Sequence, residues 1–170
     1  MLNQLENLTA RIGGCNDLVD FCLQSRKALL IHYYQLIGIK PNKDIPDRFS
    51  SDNLDTFCHH LVDYLSSGHF TIYQRFVTEM KGSEQLAKAA LIYPALQVNT
   101  NDIMQTYDNH LEPSLTSSPS EGLHLALSSV GEALEARFSL EDKFIQFVLD
   151  KNQSVQIAAN DSTLATRPAG

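Results

Sequence analysis

The sequence predicts an all-α protein: an antiparallel up-and-down helical bundle with one kinked helix and a long C-terminal helix. Three observations carry that expectation. Apolar residues recur at helical spacing through every long segment, no segment alternates with period two, and no hairpin dipeptide stands between β-branched runs. Amphipathic helices joined by loops bury their stripes best against one another. With 170 residues and a hydrophobic fraction of 43%, the chain can bury one core and has little room for a second.

The first helix rests on Leu2, Leu5, Leu8 and Ile12, and Gly13-Gly14 ends it. Asn16 or Asp17 offers a cap for the second, whose broad face runs from Leu18 through Cys22, Leu29 and Tyr33 to Ile37. Gly38 suits a left-handed C-terminal residue, and Pro41 enforces the stop before a loop over residues 40–51. Ser51 or Asp52 caps the next helix, where Leu54, Phe57, Cys58, Leu61, Val62 and Leu65 form an unbroken stripe. Ser67-Gly68 marks a break, after which Phe70, Tyr73, Phe76, Val77 and Met80 resume the pattern.

Ser83 caps an alanine- and leucine-rich run that meets Pro94, and an internal proline kinks or restarts a helix by removing one amide donor. Leu96, Ile103, Met104, Tyr107 and Leu111 carry the stripe onward. Residues 112–120, with Pro113, Pro119 and several Ser and Thr, read as a loop. The last helix holds Leu123, Leu127, Val130, Leu134, Phe138, Ile145, Val148 and Leu149 on one face. From Lys151 the pattern dissolves, so the chain divides into a bundle domain over 1–150 and a tail over 151–170 that is expected to be disordered.

The formal charge is -7, which argues against a phosphate-binding surface. Residues 49–74 contain no Lys or Arg but do contain Asp52, Asp55 and Asp63. Residues 89–136 again lack cations, while Asp102, Asp108, Glu112, Glu121, Glu132 and Glu135 fall among them. Such stretches are either a solvated acidic surface or a face offered to a basic partner, and charge alone does not separate the two.

Chemistry is sparse. Cys15, Cys22 and Cys58 lack CxxC spacing, so neither a disulfide framework nor a zinc site is expected. His59 and Asp63 stand four apart on one helix beside His60, but one turn supplies two ligands and structural zinc wants four. Glu121-Gly-Leu-His124 matches half of a di-iron motif, and no second copy exists. No phosphate loop, GxSxG elbow or HExxH is present, and Arg137 among Glu132, Glu135 and Glu141 reads as surface pairing. No catalytic residue, metal or cofactor is therefore expected. Residues 1–12 carry Glu6 and lack a basic start, and no apolar run approaches the ~20 residues that span a bilayer. A cytoplasmic protein without a membrane partner follows as the expectation.

The stretch FCHHLVDYLSSGHFTIYQRF at residues 57–76 resembles the Rsd/AlgQ family of bacterial anti-sigma regulators, nearest its Rsd branch. MLNQLENLTARI at the start, RKALLIHYYQLIGIKP at 26–41, QLAKAALIYPALQVNT at 85–100 and GEALEARFSLEDKFIQFVLD at 131–150 support the resemblance in the right order. It implies a helical bundle that binds the primary sigma factor of bacterial RNA polymerase through the sigma C-terminal promoter-reading domain, region 4. Binding there would hide surfaces that touch core polymerase and promoter DNA, and would lower housekeeping transcription toward stationary phase. It further implies a protein that is no enzyme, is monomeric when free, binds sigma 1:1 and makes no direct contact with nucleic acid. Loops 42–53 and 112–122 depart from the family pattern.

The same resemblance carries a sigma-contacting role onto Asp63 and Phe70. Asp63 lies off the apolar stripe on the line His59, Asp63, Ser66, and Phe70 follows the break at Gly68. An exposed acid beside an aromatic anchor would suit a protein interface, whereas periodicity alone allows Phe70 to be core. The rival functional readings are a helical adaptor that docks another cytosolic regulator on the acidic face, and a metal-dependent bundle oxidoreductase.

Overall fold

In the computed structural model, residues 1–38, 51–67, 73–79, 84–116 and 122–164 are described, and among them there is no strand. The helices are α1 (Leu2–Ile12), α2 (Asp17–Ile37), α3 (Ser51–Ser67), α4 (Tyr73–Glu79), α5 (Glu84–Thr106), α6 (Glu112–Thr116) and α7 (Leu123–Leu164). A single π-helical turn, Tyr107–Leu111, joins α5 to α6.

Local chemistry sets several boundaries. Asn16 accepts from the backbone amides of Leu18 at 2.9 Å and Val19 at 3.2 Å, which satisfies two of the free donors that open α2. Gly38 ends α2 at φ 77°, a conformation that costs glycine nothing, and its amide returns to the Tyr34 carbonyl. α5 passes through Pro94 without ending, although the proline leaves the carbonyl one turn back without its amide. The sequence reading treats residues 112–120 as a loop, but the chain makes one more helical turn there. Pro113 directly follows the π-helical turn, and the helix continues through it to Thr116. The last helix, α7, extends to Leu164.

Cross-helix contacts give the directions. Arg26 of α2 meets Glu141 of α7, and Tyr33 of α2 donates to the Leu127 carbonyl of α7 at 3.0 Å, so the two helices run antiparallel. Tyr33 also packs on Phe57, with ring centroids 5.7 Å apart, while Tyr64 of the same helix reaches Glu141. α3 is therefore antiparallel to α2 and parallel to α7. Tyr93 of α5 and Phe144 of α7 line one recess, and further along α5 Asn99 donates to the Ala133 carbonyl at 2.8 Å, so α5 runs antiparallel to α7. α2, α3, α5 and α7 thus form the expected up-and-down bundle, with α1 laid along α2.

The core is the union of the apolar stripes. Leu29, Leu30 and Leu36 from α2, Phe57 and Leu61 from α3, Leu96 and Ile103 from α5, and Leu134 and Phe144 from α7 are buried. Gly131 sits where α7 meets α2, and a Cβ placed there would lie 2.0 Å from the Tyr33 hydroxyl and 2.8 Å from the carbon that bears it. Packing this close needs glycine.

Two outcomes test the fold. Gly131→Ala should destabilise by about 1–3 kcal/mol despite alanine's better helix propensity, and adding Tyr33→Phe should recover part of that loss in urea titrations. Truncation after Asp150 should leave the melting temperature within a few degrees of the full chain, because the apolar stripe ends there.

Candidate functional site

The most strongly perturbed titratable groups lie at the centre of the bundle. The sequence reading puts Arg137 on the surface. The structure corrects it: Arg137 is 0% exposed and Glu141 3%. Arg137 follows Leu134 by three residues and Glu141 follows Phe138 by three, so both stand in phase with the α7 stripe.

Each oxygen of Glu141 has one guanidinium and one tyrosine. Arg26 donates to Oε2 at 3.0 Å, and the Tyr64 hydroxyl donates to the same oxygen. The Tyr73 hydroxyl donates to Oε1 at 2.9 Å, and Arg137 Nε approaches that oxygen at 2.9 Å as an ion contact, its angle giving no hydrogen bond. Arg137 spends its remaining donors on Tyr73 at 3.2 Å, Thr100 at 2.9 Å and Asn99 at 3.4 Å. Arg26 reaches outward to Asp142 at 2.6 Å and lies 4.6 Å over the Phe138 ring. Two buried cations thus face one buried carboxylate, and the half-exposed Asp142 completes the balance.

Burial alone would raise the pKa of Glu141, but Arg137 and Arg26, with the two tyrosine donors, outweigh it and hold the carboxyl below its ordinary range. Burial and then the Glu141 charge push Tyr64 and Tyr73 upward, keeping both as neutral donors. Burial, with Glu141 next, takes the neighbouring Cys22 thiol up to about 12. Perturbed groups often mark active sites. Here the carboxylate is saturated by four partners and the thiol is held protonated, so the cluster offers neither a base nor a nucleophile.

The line expected to meet a partner lies elsewhere, on the outer side of α3. His59, Asp63 and Ser66 are all exposed, while Phe57, Leu61, Tyr64 and Leu65 face inward. In its Nδ1–H form, His59 donates to the Asp55 carbonyl at 2.9 Å. Asp63, with Asp55, His59 and Val62, borders a recess of about 240 Å³ closed by Tyr107 and Leu115. Burial, then Cys58, then the carboxylates of Glu112, Asp108 and Asp55 raise the pKa of the Tyr107 hydroxyl, which registers the negative potential of this end. Ser66 borders a larger groove of about 670 Å³ between α3 and α5, lined by Val62, Leu65, Pro94, Val98 and Met104. The helix brings His59, Asp63 and Ser66 to one face, and Phe70 lies outside the described residues.

Among the described residues, no three His, Cys, Asp or Glu side chains are placed to hold a metal ion. His124 is exposed on α7, and Glu121 lies outside the described residues. His32 and His60 are engaged with each other, stacked across α2 and α3 at 4.1 Å between centroids. No helix among the described residues is long and apolar enough to cross a membrane.

A family model described as "Regulator of RNA polymerase sigma(70) subunit, Rsd/AlgQ" matches residues 1–149. Curated relatives named "Regulator of sigma D" from Enterobacter sp. (strain 638), Salmonella arizonae and Salmonella paratyphi B are each 50% identical over 169 residues. Each alignment covers 99% of this chain and 100% of the relative.

The ion cluster generates its own test. Glu141→Gln leaves two buried guanidinium groups short of their counter-charge and should cost about 3–5 kcal/mol in urea unfolding, a large share of a typical 5–15. Glu141 binds its proton more weakly in the folded state than in the unfolded state. Its contribution is therefore present above the ordinary value of 4.5 and is lost as pH falls below that value. The melting temperature should consequently fall more steeply below pH 4.5 for the wild type than for Glu141→Gln.

Proposed function

The chain belongs to the Rsd/AlgQ family of regulators of the RNA polymerase sigma(70) subunit, and from that premise we propose that it acts as an anti-sigma factor. It is a regulatory protein and not an enzyme. In this reading it binds the C-terminal domain of the primary sigma factor in the cytoplasm, as a monomer and in a 1:1 complex. The complex withholds that domain from core polymerase and promoter DNA. Housekeeping transcription falls as a result, as it would on entry into stationary phase.

The observation that carries the reading is the division of labour on α3. Its inner residues are committed to the core, and its outer line of His59, Asp63 and Ser66 is free in a stretch without a single Lys or Arg. A domain that reads DNA must be basic where it meets phosphate, so an acidic face mimics the charge of its usual ligand. Complementarity of this kind speeds encounter and rejects wrong partners more than it deepens affinity. Asp63 supplies a carboxylate for an arginine or lysine, and Phe70 supplies an aromatic anchor beyond the end of α3.

Isothermal titration against the isolated sigma C-terminal domain tests this at two ionic strengths. Asp63→Ala and Phe70→Ala should each weaken binding by about 2 kcal/mol while leaving helical content unchanged. Wild-type binding should weaken as salt rises. Asp63→Ala should flatten that dependence, whereas Phe70→Ala should shift it in parallel. Wild-type affinity in both variants would move the interface to another face of the bundle.

A further inference from the structure

Beyond the α3 line, the outer side of α5 carries an apolar stripe that the fold leaves uncovered. Leu91, Pro94, Ala95 and Val98 stand at i, i+3, i+4 and i+7, and all four are exposed. Leu91 is 81% exposed and Val98 60%. The opposite side of the same helix is buried through Ile92, Leu96 and Ile103, so the stripe is additional to what the core requires. Single exposed leucines are ordinary on a protein surface, but a helical row of apolar residues is not.

Two grooves flank the row. On one side Pro94 and Val98 form a wall of the α3–α5 groove, with Val62, Leu65 and Ser66 across from them. On the other side Ala90 and Pro94 border a recess of about 500 Å³ with Tyr73, Leu86, Tyr93 and Phe144. The stripe is thus the ridge between two grooves, the first of which also takes in Gln97, Thr100 and Asn101 and reaches the proposed α3 face through Ser66. Asp102 is exposed one turn beyond Val98, and Asp63 is exposed on α3. No Lys or Arg occurs between residues 89 and 136.

We propose that this ridge and the α3–α5 groove form a second footing for the sigma domain, taking an amphipathic helix of that partner with its apolar side on Val98 and Leu91 and its basic flank toward Asp63 and Asp102. The inference rests on the anti-sigma reading and deepens it by naming the kind of element the groove receives. Charge complementarity selects the occupant, because an apolar segment with acidic flanks would be repelled from both edges. Nonpolar burial on the ridge then adds affinity that salt does not screen.

The test titrates the full chain with the isolated sigma C-terminal domain, using Leu91→Gln/Val98→Gln and, separately, Val98→Lys. Both positions are solvent-exposed, so circular dichroism and melting temperature should match the wild type. The double variant should weaken binding about tenfold or more with an unchanged salt slope. Val98→Lys should weaken it further at low salt, since it adds a cation opposite a basic flank. If Leu91→Gln/Val98→Gln and Val98→Lys bind like wild type while Asp63→Ala weakens, the second footing is wrong and the α3 reading stands. If Asp63→Ala also binds like wild type, both fall. If the stripe variants weaken binding and Asp63→Ala does not, the apolar ridge is a contact, but the basic flank does not rest on Asp63 and the α3 reading falls. A concentration-dependent dimer of the wild type that the double variant dissolves would assign the stripe to self-association instead.

Discussion

The bundle is organised around one requirement: Arg26, Arg137 and Glu141 are all inside, and none can be there alone. Moving an ion into a protein interior costs several kcal/mol unless partners replace its water. The replacement here is assembled from separate helices, with Arg26 from α2, Tyr64 from α3, Tyr73 from α4, Asn99 and Thr100 from α5, and the remainder from α7. A hydrophobic core tolerates a helix that slides by a turn, because one leucine packs nearly as well as the next. A guanidinium cannot slide off its carboxylate at that price in free energy, so the cluster sets the register between the helices.

That constraint leaves α3 with two unlike faces. Its inner side supplies Phe57, Leu61 and Tyr64 to the core and the ion cluster, and it is immobilised by both. Its outer side is then a rigid rod bearing His59, Asp63 and Ser66, flanked by recesses whose walls come from α5, the π-turn and α6. A rigid acidic surface loses little conformational entropy when it meets a partner. The stability of the centre and the usefulness of the surface are therefore linked through one helix.

Much of this was legible in the chain. Apolar spacing marks α1, α2, α3, α5 and α7, and Asn16 and Gly38 mark the ends of α2, because caps and stripes are local in sequence. Arg137 departs from the sequence expectation for a physical reason. Three glutamates surround it, which suggests surface pairing, yet its position between Leu134 and Phe138 puts it in phase with the stripe. Arg26 gives the same signal, lying between Leu23 and Leu29. A charge in register with an apolar face calls for a buried partner, and the complementary Glu141 was available in the same helix. The π-turn and α6 were not legible, since Pro113 reads equally well as loop or first turn. The grooves were not legible either, because their walls belong to helices that meet only in three dimensions. Spacing gave the shared face of His59, Asp63 and Ser66, whereas a role for Asp63 or Phe70 came from family resemblance alone.

The bond between Arg26 and Glu141 spans 115 positions of the chain. During synthesis, α2 and α3 leave the ribosome well before the carboxylate that completes their core, and at ~5–20 residues per second the wait lasts seconds. In that interval Arg26 and Tyr64 have no Glu141 to enclose, and the faces of α2 and α3 that α7 covers stay open. The buried ion cluster is therefore completed only when α7 arrives. A chain that stops short of Glu141 lacks the anion around which the helices close.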